Sequence, residues 1–317
     1  MILLLGASGY IGSAFTRELQ RRGKTFKPLA RTEVDYANFT QLVAALRELK
    51  PSLVINAAGF SGRPNVDACE LAKAETLQGN TLLPLTIAQA CATVGVPWGH
   101  VSSGCIYTGA WVTENGQTRL EPDLTRPEVR ELAERNPAAL QGFKESDEPN
   151  FSFRRPPCSF YSGTKALAEE AVTALGNCYV WRLRIPFDEF DSSRNFLSKL
   201  QRYPKVYDNI NSISHRTDFV QASLDLWERR APLGVYNITN PGFTTARQVV
   251  ELIKRHLHPT RDFSFWENDE EFYRVAVKTP RSNCVMDTSK LAGAGVRLRS
   301  AAEAVEDSLK NWKPESK

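Results

Sequence analysis

The sequence predicts an α/β protein with a doubly wound parallel sheet and a smaller C-terminal domain. Three observations support this fold class. Short apolar runs alternate with helical patterns of about 10–15 residues through the first half of the chain, which is typical of βαβ units. A glycine-rich turn directly follows the first apolar run. The 317 residues, of which 42% are hydrophobic, are enough for two domains or for one large domain with a buried core.

The elements of the first hundred residues are short and regularly spaced. A parallel strand is buried on both faces, so it reads as a continuous apolar run rather than an alternating one. Such runs predict strands at 1–5, 25–30, 52–56 and 98–102, and helical patterns between them predict helices at 11–22, 39–49 and 81–94. Each strand–helix–strand step therefore adds a strand to one parallel sheet.

The alternation stops between residues 108 and 157. This stretch is rich in charged residues and proline, and its one helical pattern covers 127–134. A long irregular segment inside a compact domain is usually a functional lid or binding loop, or is partly disordered. We therefore expect a lid-like insertion at 108–157.

The second half of the chain begins regularly and then becomes mixed. Its clearest patterns are a helix at 161–175, a strand at 178–185 and a last helix at 301–312. The connections after residue 185 are long, which favours a separate and smaller unit. We therefore expect one domain at 1–185 and a mainly substrate-binding domain at 186–317, with some segments of the second returning to the first.

Charge and cysteine content exclude several classes of protein. The net charge is +4, and the lysines and arginines are scattered, whereas a nucleic-acid-binding protein concentrates them on one stripe. The excess fits ordinary solubility or a pocket for small anions. Neither a long apolar span nor a basic leader is present, so we expect no membrane segment and no signal peptide. The six cysteines lack metal-type spacing, and we expect reduced thiols, no metal site and a cytoplasmic location.

The glycine-rich turn predicts a dinucleotide site. Gly6, Gly9 and Gly12 form a GxxGxxG pattern between the first strand and the first helix. The first glycine permits the tight turn, the second lets the backbone approach a pyrophosphate, and the third allows close packing of helix and strand. The helix N-terminus adds free amides and the positive end of its dipole. The expected phosphate-binding residues are Gly6, Ser8, Gly9, Tyr10, Ile11 and Gly12.

The residues after the second predicted strand indicate which dinucleotide binds. An acidic side chain there would bind the ribose 2′-hydroxyl of NAD, and a basic one would bind the 2′-phosphate of NADP. Arg31 occupies this position, and Asp35 lies slightly further on, near the expected adenine. A surface arginine with no ligand is the alternative interpretation. NADP(H) is therefore the favoured cofactor, ahead of NAD(H).

Three polar residues predict the chemistry of a ketone. Tyr161 and Lys165, four residues apart, lie on one face of a predicted helix. A lysine ammonium beside a phenol lowers the pKa of the phenol, so Tyr161 can exchange a proton with a carbonyl oxygen. Ser103 follows a predicted parallel strand, where ligands collect, and can donate a second hydrogen bond to the same oxygen.

The expected cofactor site extends beyond the glycine turn. Small residues after the strand at 52–56 allow the cofactor to approach the backbone closely. Lys165 can also hold the nicotinamide ribose. The remaining cofactor-binding residues that we expect are Asn56, Ala57, Ala58, Gly59, Asn80, Tyr161, Lys165 and Arg184.

Together these motifs resemble the extended short-chain dehydrogenase/reductase superfamily, with its Rossmann-like fold. Within it, further stretches are similar to the plant nucleotide-rhamnose synthase/epimerase-reductases: 62–67, 142–145, 194–196, 237–242, 281–283 and 286–287. The dTDP-4-dehydrorhamnose reductases are more distant, and GDP-fucose synthase is similar at 103–107. The resemblance implies a homodimeric enzyme that converts a nucleotide-4-keto-6-deoxyglucose to a nucleotide-rhamnose with NADPH.

The resemblance also implies residue roles. Ser103, Tyr161 and Lys165 match the reductase triad, Cys105 matches the residue that exchanges protons with the sugar carbons, and Lys199 matches its acid/base partner. Without the resemblance, Cys105 reads as a buried cysteine and Lys199 as a surface lysine. The expected substrate-binding residues are Arg63, Asn65, Ser103, Gly104, Asn195, Phe196, Lys199 and Arg281. Bidentate pairing makes Arg63, Arg184 and Arg281 candidates for the substrate pyrophosphate.

The implied reaction is chemically coherent. A ketone at C4 of the sugar makes the protons on C3 and C5 acidic, so a base such as a thiolate removes one and an acid returns it on the other face. Tyr161 and Ser103 would stabilise the enolate oxygen. Reduction of C4 ends this acidity, so epimerisation must come first. The alternatives are a 4-ketoreductase without epimerase activity and a non-catalytic, NADP(H)-binding regulatory subunit. The nucleotide, whether dTDP, UDP or GDP, stays open.

Overall fold

A computed structural model describes residues 1–314. The strands of this part of the chain, in order, are β1 (Ile2–Leu5), β2 (Phe26–Leu29), β3 (Leu53–Asn56), β4 (Trp98–Ser103), β5 (Ala110–Glu114), β6 (Gln117–Glu121), β7 (Leu140–Gln141), β8 (Cys178–Leu183), β9 (Pro186–Phe187), β10 (Ile210–Asn211), β11 (Ser214–His215), β12 (Gly234–Asn237) and β13 (Thr244–Thr245). The helices are α1 (Tyr10–Arg21), α2 (Phe39–Leu49), α3 (Asp67–Leu71), α4 (Lys73–Leu77), α5 (Leu83–Val94), α6 (Pro127–Arg135), α7 (Phe160–Leu175), α8 (Phe196–Arg202), α9 (Arg216–Glu228), α10 (Ala246–His256), α11 (Asp269–Val275), α12 (Ser289–Gly293) and α13 (Ala301–Lys310). Each of these helices is too short or too polar to cross a membrane.

A six-stranded parallel sheet forms the centre of the molecule, as the sequence predicts. Its order is β12-β8-β4-β3-β1-β2. The chain leaves β1 towards β2 on one side and continues with β3 and β4 on the other. This reversal opens a crevice at the carboxyl ends of β1 and β3, which is where ligands bind in sheets of this type.

Helices cover both faces of the sheet. The side chains of β1 alternate between the two layers, with Ile2 and Leu4 in the core beneath α1 and α9, and Leu3 and Leu5 in the core beneath α2 and α5. All four are buried. Because both faces are covered, β1 needs an apolar residue at each position, which explains its continuous apolar run.

The C-terminal part of the chain contributes to two regions. β12 pairs with β8 in the central sheet, although it lies within the 186–317 range. A separate core joins α8, α10 and α13, with Leu197, Val249 and Val305 among its buried residues. The domain boundary near residue 185 stays a prediction.

The 108–157 segment is more regular than the sequence predicts. Besides α6, it forms the three-stranded antiparallel sheet β6-β5-β7. Asn115 and Gly116 make the two-residue β5–β6 turn with positive φ angles of 51° and 77°. Asn-Gly is the preferred sequence for such a hairpin turn, so this strand pairing had a local signal that the sequence prediction missed.

The insertion is packed against the C-terminal region. Val112 and Leu132 share a buried cluster with Ile210. The Arg130 guanidinium also donates hydrogen bonds to the Asp208 carboxylate at 2.7 Å and to the Asp208 carbonyl oxygen at 2.6 Å. These contacts pack the segment into a core that it shares with the C-terminal region, so it is not irregular as its composition predicted, and its role as a lid stays a prediction.

Candidate active site

The glycine turn lies at the crevice and cannot tolerate side chains at its first and third glycines. Gly6 has a φ of +76°, and a Cβ there would lie 2.5 Å from the amide nitrogen of Ala58. A Cβ on Gly12 would lie 2.0 Å from the Gly6 carbonyl oxygen. Both glycines therefore bring α1 and the strand ends together. Ser8, Gly9, Tyr10 and Ile11 line the adjoining cavity, where the free amides of α1 can bind phosphate.

Arg31 lies at the edge expected for the adenosine ribose. Leu29 pairs with Leu5, which directly precedes the glycine turn, and Arg31 follows two residues later. Its exposed guanidinium lies over the Tyr36 ring, 5.2 Å from the centroid. Asp35 is exposed as well, and its carboxylate accepts a hydrogen bond from the Ala37 amide at 3.1 Å. Neither Arg31 nor Asp35 lines the main cavity.

The segment after β3 borders the cavity through its small residues. Ala57, Ala58 and Gly59 line it. Asn56 is not among the lining residues, and its fully buried side chain holds this turn from behind. Its Oδ1 accepts a hydrogen bond from the Ala58 amide at 3.0 Å, and its Nδ2 lies 3.1 Å from His100 Nδ1. The prediction of direct cofactor contact by Asn56 is therefore corrected to a supporting role.

Asn80 holds the same segment from the other side. It lies in a π-helical turn at Gln78–Leu82, a distortion that is frequent at functional sites. Its Oδ1 accepts a hydrogen bond from the Phe60 amide at 2.8 Å, and its Nδ2 donates to the Phe60 carbonyl at 2.7 Å. Asn80 also lines the cavity, as expected for a cofactor-site residue.

Ser103, Tyr161 and Lys165 face this one cavity. Ser103 ends β4, and α7 carries Tyr161 and Lys165 one turn apart. The Lys165 Nζ donates a hydrogen bond to the Val101 carbonyl at 3.2 Å. Burial raises the pKa of Tyr161, although a hydrogen bond with Ser103 opposes the shift, and burial lowers the pKa of Lys165. The expected lowering of the Tyr161 pKa by Lys165 is therefore wrong for this structure, because desolvation is the larger effect.

Cys105 and Lys199 line the cavity from different parts of the fold. Cys105 lies in a single 3₁₀ turn after β4, and its amide donates a hydrogen bond to Ser103 Oγ at 3.2 Å. Lys199 lies on α8 in the C-terminal region. Burial raises the pKa of the Cys105 thiol, whereas burial and the nearby Arg194 guanidinium lower the pKa of Lys199. The thiol therefore favours its protonated form, and the amine is easier to deprotonate than a free lysine.

The predicted arginines differ in their partners. Arg63 is exposed at the cavity. Arg281 donates through Nη2 to Asp67 at 2.7 Å, while its buried Nη1 has no hydrogen-bond partner within residues 1–314. Arg184 is held by Ser282 and Asn211, at 2.9 Å and 2.6 Å. Each of these two guanidinium groups therefore keeps one buried nitrogen without a partner in the described residues, Nη1 in Arg281 and Nε in Arg184.

Some predicted substrate residues have structural roles. Asn195 is fully buried, caps α8 and donates to the Asp188 carbonyl oxygen at 2.7 Å, so it does not reach the cavity. Gly104 is needed for packing, since a Cβ there would lie 2.1 Å from Met286 Sδ. Asn65, Phe196 and the other predicted residues of this group do line the cavity.

The sequence reasoning missed several residues that line the cavity. Arg194 lines it and donates to Ser61 Oγ at 3.1 Å; it lies in the 194–196 stretch that already carried the family resemblance. Aromatic residues also line the cavity, and the Tyr207 and Phe272 rings stack with centroids 3.8 Å apart. No local pattern joins Tyr207 to Phe272. The cavity volume is about 1140 Å³, more than a single drug-sized ligand requires.

Proteins of named activity resemble this chain over most of its length. The bifunctional dTDP-4-dehydrorhamnose 3,5-epimerase/dTDP-4-dehydrorhamnose reductase of Arabidopsis thaliana is 33% identical over 306 residues, covering 96% of this chain and 90% of that protein. The chain also matches trifunctional UDP-glucose 4,6-dehydratase/UDP-4-keto-6-deoxy-D-glucose 3,5-epimerase/UDP-4-keto-L-rhamnose-reductases of the same plant, and spans about two-fifths of their length.

Solved structures share the fold. The L780 UDP-rhamnose synthase from Acanthamoeba polyphaga mimivirus superposes with a TM-score of 0.81 at 21% identity, covering 98% of each chain. A dTDP-4-dehydrorhamnose reductase from Bacillus anthracis in complex with NADP gives a TM-score of 0.74 at 18% identity, covering 98% of this chain and 97% of that one. The model of the RmlD substrate binding domain matches residues 1–313. The chain therefore belongs to the RmlD substrate binding domain family.

Proposed function

We propose that this chain is an NADPH-dependent nucleotide-sugar 3,5-epimerase/4-reductase. Its substrate would be a nucleotide-4-keto-6-deoxy sugar, and its product a nucleotide-6-deoxy-L-sugar such as nucleotide-rhamnose. The observation that carries the proposal is one cavity that joins the reductase residues Ser103, Tyr161 and Lys165 to the acid/base pair Cys105 and Lys199. The bifunctional relative at 33% identity supports both activities.

The residues at the glycine turn fit NADP(H). Gly6 and Gly12 form a cradle that a Cβ would fill, and the amides after them are free to bind a pyrophosphate. Arg31 is exposed and stacked on Tyr36, so its guanidinium is available for a 2′-phosphate. Lys165 would hold the nicotinamide ribose. When bound, the cofactor supplies the hydride for C4.

For the reduction, Tyr161 acts as proton donor to the C4 oxygen. A phenol carries its proton at neutral pH, and burial raises the pKa of Tyr161 further, so the side chain starts the reaction protonated. Ser103 shares this oxygen and stabilises the charge that develops on it. The same two groups stabilise the enolate oxygen during epimerisation, so one oxygen site serves both reactions.

For the epimerisation, the opposite pKa shifts assign the roles. Lys199, whose pKa is lowered, is more readily neutral than a free lysine and removes the proton from C3 or C5. Cys105, whose pKa is raised, carries its proton and can return it to the carbon on the other face. Environments that push two pKa values in opposite directions are the usual sign of such an acid/base division. This assignment replaces the thiolate base considered from the sequence.

A 4-ketoreductase without epimerase activity is the second candidate. The observation that favours it is the burial of Cys105, because a neutral thiol packed at a strand end can be inert. The two candidates differ in whether protons on C3 and C5 exchange with solvent before hydride transfer.

Turnover in heavy water separates the candidates. The protein is incubated with UDP- or dTDP-4-keto-6-deoxyglucose and NADPH in D₂O, NADPH oxidation is followed by absorbance, and deuterium is located in the product by NMR. Deuterium at both C3 and C5 together with NADPH oxidation supports the epimerase/reductase. NADPH oxidation without deuterium at these carbons contradicts it and leaves the reductase. A Cys105→Ser variant should lose deuterium exchange while it still reduces an already epimerised ketone.

We further propose that the protein works in the cytoplasm as a homodimer. All six cysteines are free thiols, which suits a reducing compartment. Helices α5 and α7 pack against each other. Leu82, which directly precedes α5, and Leu167 on α7 are large hydrophobic residues that are exposed, and they offer a surface for a second copy. Light scattering coupled to size exclusion would test the dimer, and Leu167→Glu should yield a monomer.

A further inference from the structure

A short part of the C-terminal region crosses to α3 beside the cavity. We call residues 277–281 the roof segment, because Val277, Pro280 and Arg281 line the cavity. Asp67 on α3 holds this segment at two points. Its carboxylate accepts hydrogen bonds from the Lys278 amide at 3.1 Å and from Arg281 Nη2 at 2.7 Å.

A second carboxylate on α3 joins the roof segment to the catalytic helix. Glu70 Oε1 accepts a hydrogen bond from Thr279 Oγ1 at 2.8 Å and another from the Phe160 amide at 2.7 Å. Thr279 is buried, with 5% of its surface exposed. One oxygen atom therefore connects the roof segment to the first residue of α7.

The position of this contact on α7 matters for the chemistry. The first amides of a helix have no partner within the helix, and a carboxylate there also interacts favourably with the helix dipole. Ser159 caps α7 by accepting a hydrogen bond from the Ser162 amide at 3.1 Å, and Glu70 takes the Phe160 amide. The next residue is Tyr161. Glu70 thus holds the backbone that immediately precedes the proposed proton donor.

We propose that Glu70 is a positioning residue that couples the roof segment to the placement of Tyr161. Glu70 is not among the cavity-lining residues, so it acts through Thr279 and Phe160. The buried Nη1 of Arg281 has no partner within the described residues, and it offers the substrate pyrophosphate a handle on the roof segment. Binding there would tighten the roof segment, and Glu70 would transmit this constraint to Tyr161. The identity of the reaction rests on the proposed function, but the physical link does not.

Four variants separate this role from general packing. Glu70→Ala removes both hydrogen bonds, and Glu70→Gln keeps an oxygen that can accept them. Thr279→Val removes the hydrogen bond between the roof segment and Glu70, and leaves the hydrogen bond from the Phe160 amide to Glu70 in place. Glu75→Ala removes an exposed carboxylate on the neighbouring α4 and serves as the matched control.

The coupling predicts a specific pattern in steady-state kinetics. Glu70→Ala should lower kcat for ketone reduction about tenfold and Thr279→Val about fivefold, because a small displacement of a catalytic group is costly. Glu70→Gln and Glu75→Ala should stay within about twofold of the wild type. The Kd for NADPH should also change less than about twofold in every variant. The double variant Glu70→Ala/Thr279→Val should have a kcat no lower than that of Glu70→Ala alone. Both substitutions break the same connection between the roof segment and α7.

Hydrogen–deuterium exchange tests the link without turnover. In Glu70→Ala, amides of both 277–281 and 160–165 should exchange faster than in the wild type, while Glu75→Ala leaves both unchanged. Unchanged exchange at 160–165 in Glu70→Ala overturns the proposal. So do independent, multiplicative losses in the double variant, or a Glu70→Gln variant as impaired as Glu70→Ala. If no nucleotide ketosugar is turned over, the proposed function fails, and the exchange data alone decide whether Glu70 links the two segments.

Discussion

The glycine turn allows a prediction in which two similar substitutions have different consequences. In Gly12→Ala, the new Cβ lies 2.0 Å from the Gly6 carbonyl oxygen and 2.9 Å from the Ala7 Cα, so backbone must move until the separation reaches at least 3.4 Å. In Gly9→Ala, the corresponding contact is 3.3 Å, so only a slight shift of the Gly6 carbonyl is needed. Gly12→Ala therefore disturbs the folded protein, whereas Gly9→Ala chiefly affects the binding of a cofactor pyrophosphate at the turn.

The expected magnitudes follow from these distances. Overpacking of a core costs about 1–3 kcal/mol, and Gly12→Ala belongs at the upper end because α1 is also anchored by the buried Phe15 and Leu19. A loss of about 3 kcal/mol lowers Tm by roughly 4–5 °C in a protein of 317 residues. Gly9→Ala should cost less than about 0.5 kcal/mol without cofactor. Its methyl group occupies the approach of the pyrophosphate, so the Kd for NADPH should rise about tenfold.

Thermal unfolding without cofactor and fluorescence titration with NADPH measure the two effects separately. Gly293→Ala is a matched control, because a Cβ there meets no atom within 4 Å. It should change neither Tm nor Kd. Equal losses of Tm in Gly9→Ala and Gly12→Ala would refute the assignment of different roles to the two glycines.

Three further predictions concern the cofactor, the acid/base pair and the core beneath the site. Arg31→Glu should weaken NADPH binding about 100-fold and NADH binding by less than about threefold in titrations, because only NADPH carries the 2′-phosphate; equal weakening of both would remove Arg31 from that role. Deuterium exchange at C3 and C5 should rise with pH towards the lowered pKa of Lys199, because only the neutral amine accepts a proton. Lys199→Arg should reduce this exchange at least about 100-fold while an epimerised ketone is still reduced, and retained exchange would exclude Lys199 as the base. Arg182→Met should lower the free energy of unfolding, measured with denaturant, by about 3–5 kcal/mol, because it leaves the buried Glu169 carboxylate without the guanidinium now 2.7 Å away. Adding Glu169→Gln should recover at least half of this loss. No recovery would mean that packing, not charge, sets the cost.

The central sheet was largely predictable because its signals are local. A strand such as β1 has to be apolar at each position, and α2 begins and ends where the periodicity predicts. The β5–β6 hairpin was missed although Asn115 and Gly116 marked its turn. Its strand β6 is mostly exposed and polar, so the alternation that would identify a half-buried strand is weak.

The candidate site shows the same division. The spacing of Tyr161 and Lys165 on one helix, and the glycines of the turn, are local features that indicate chemistry directly. Asn195 and Asn56 are also polar residues in recognisable motifs, but their side chains are buried and bind backbone groups. Polarity in a motif does not distinguish contact with a ligand from support of the backbone beside it.

Residue type and short-range spacing predicted the parallel sheet and the dinucleotide turn, because their signals lie within single strand–helix units. The family resemblance added the reductase triad, whose Ser103 lies 58 positions before Tyr161. Tertiary structure decided how those residues behave. The pKa directions of Cys105 and Lys199 depend on burial between separate elements. Glu70 contacts Phe160, which is 90 positions away in the sequence, and Thr279, which is 209 positions away. Desolvation and long-range hydrogen bonds exist only after distant segments pack together, so no local pattern could reveal them.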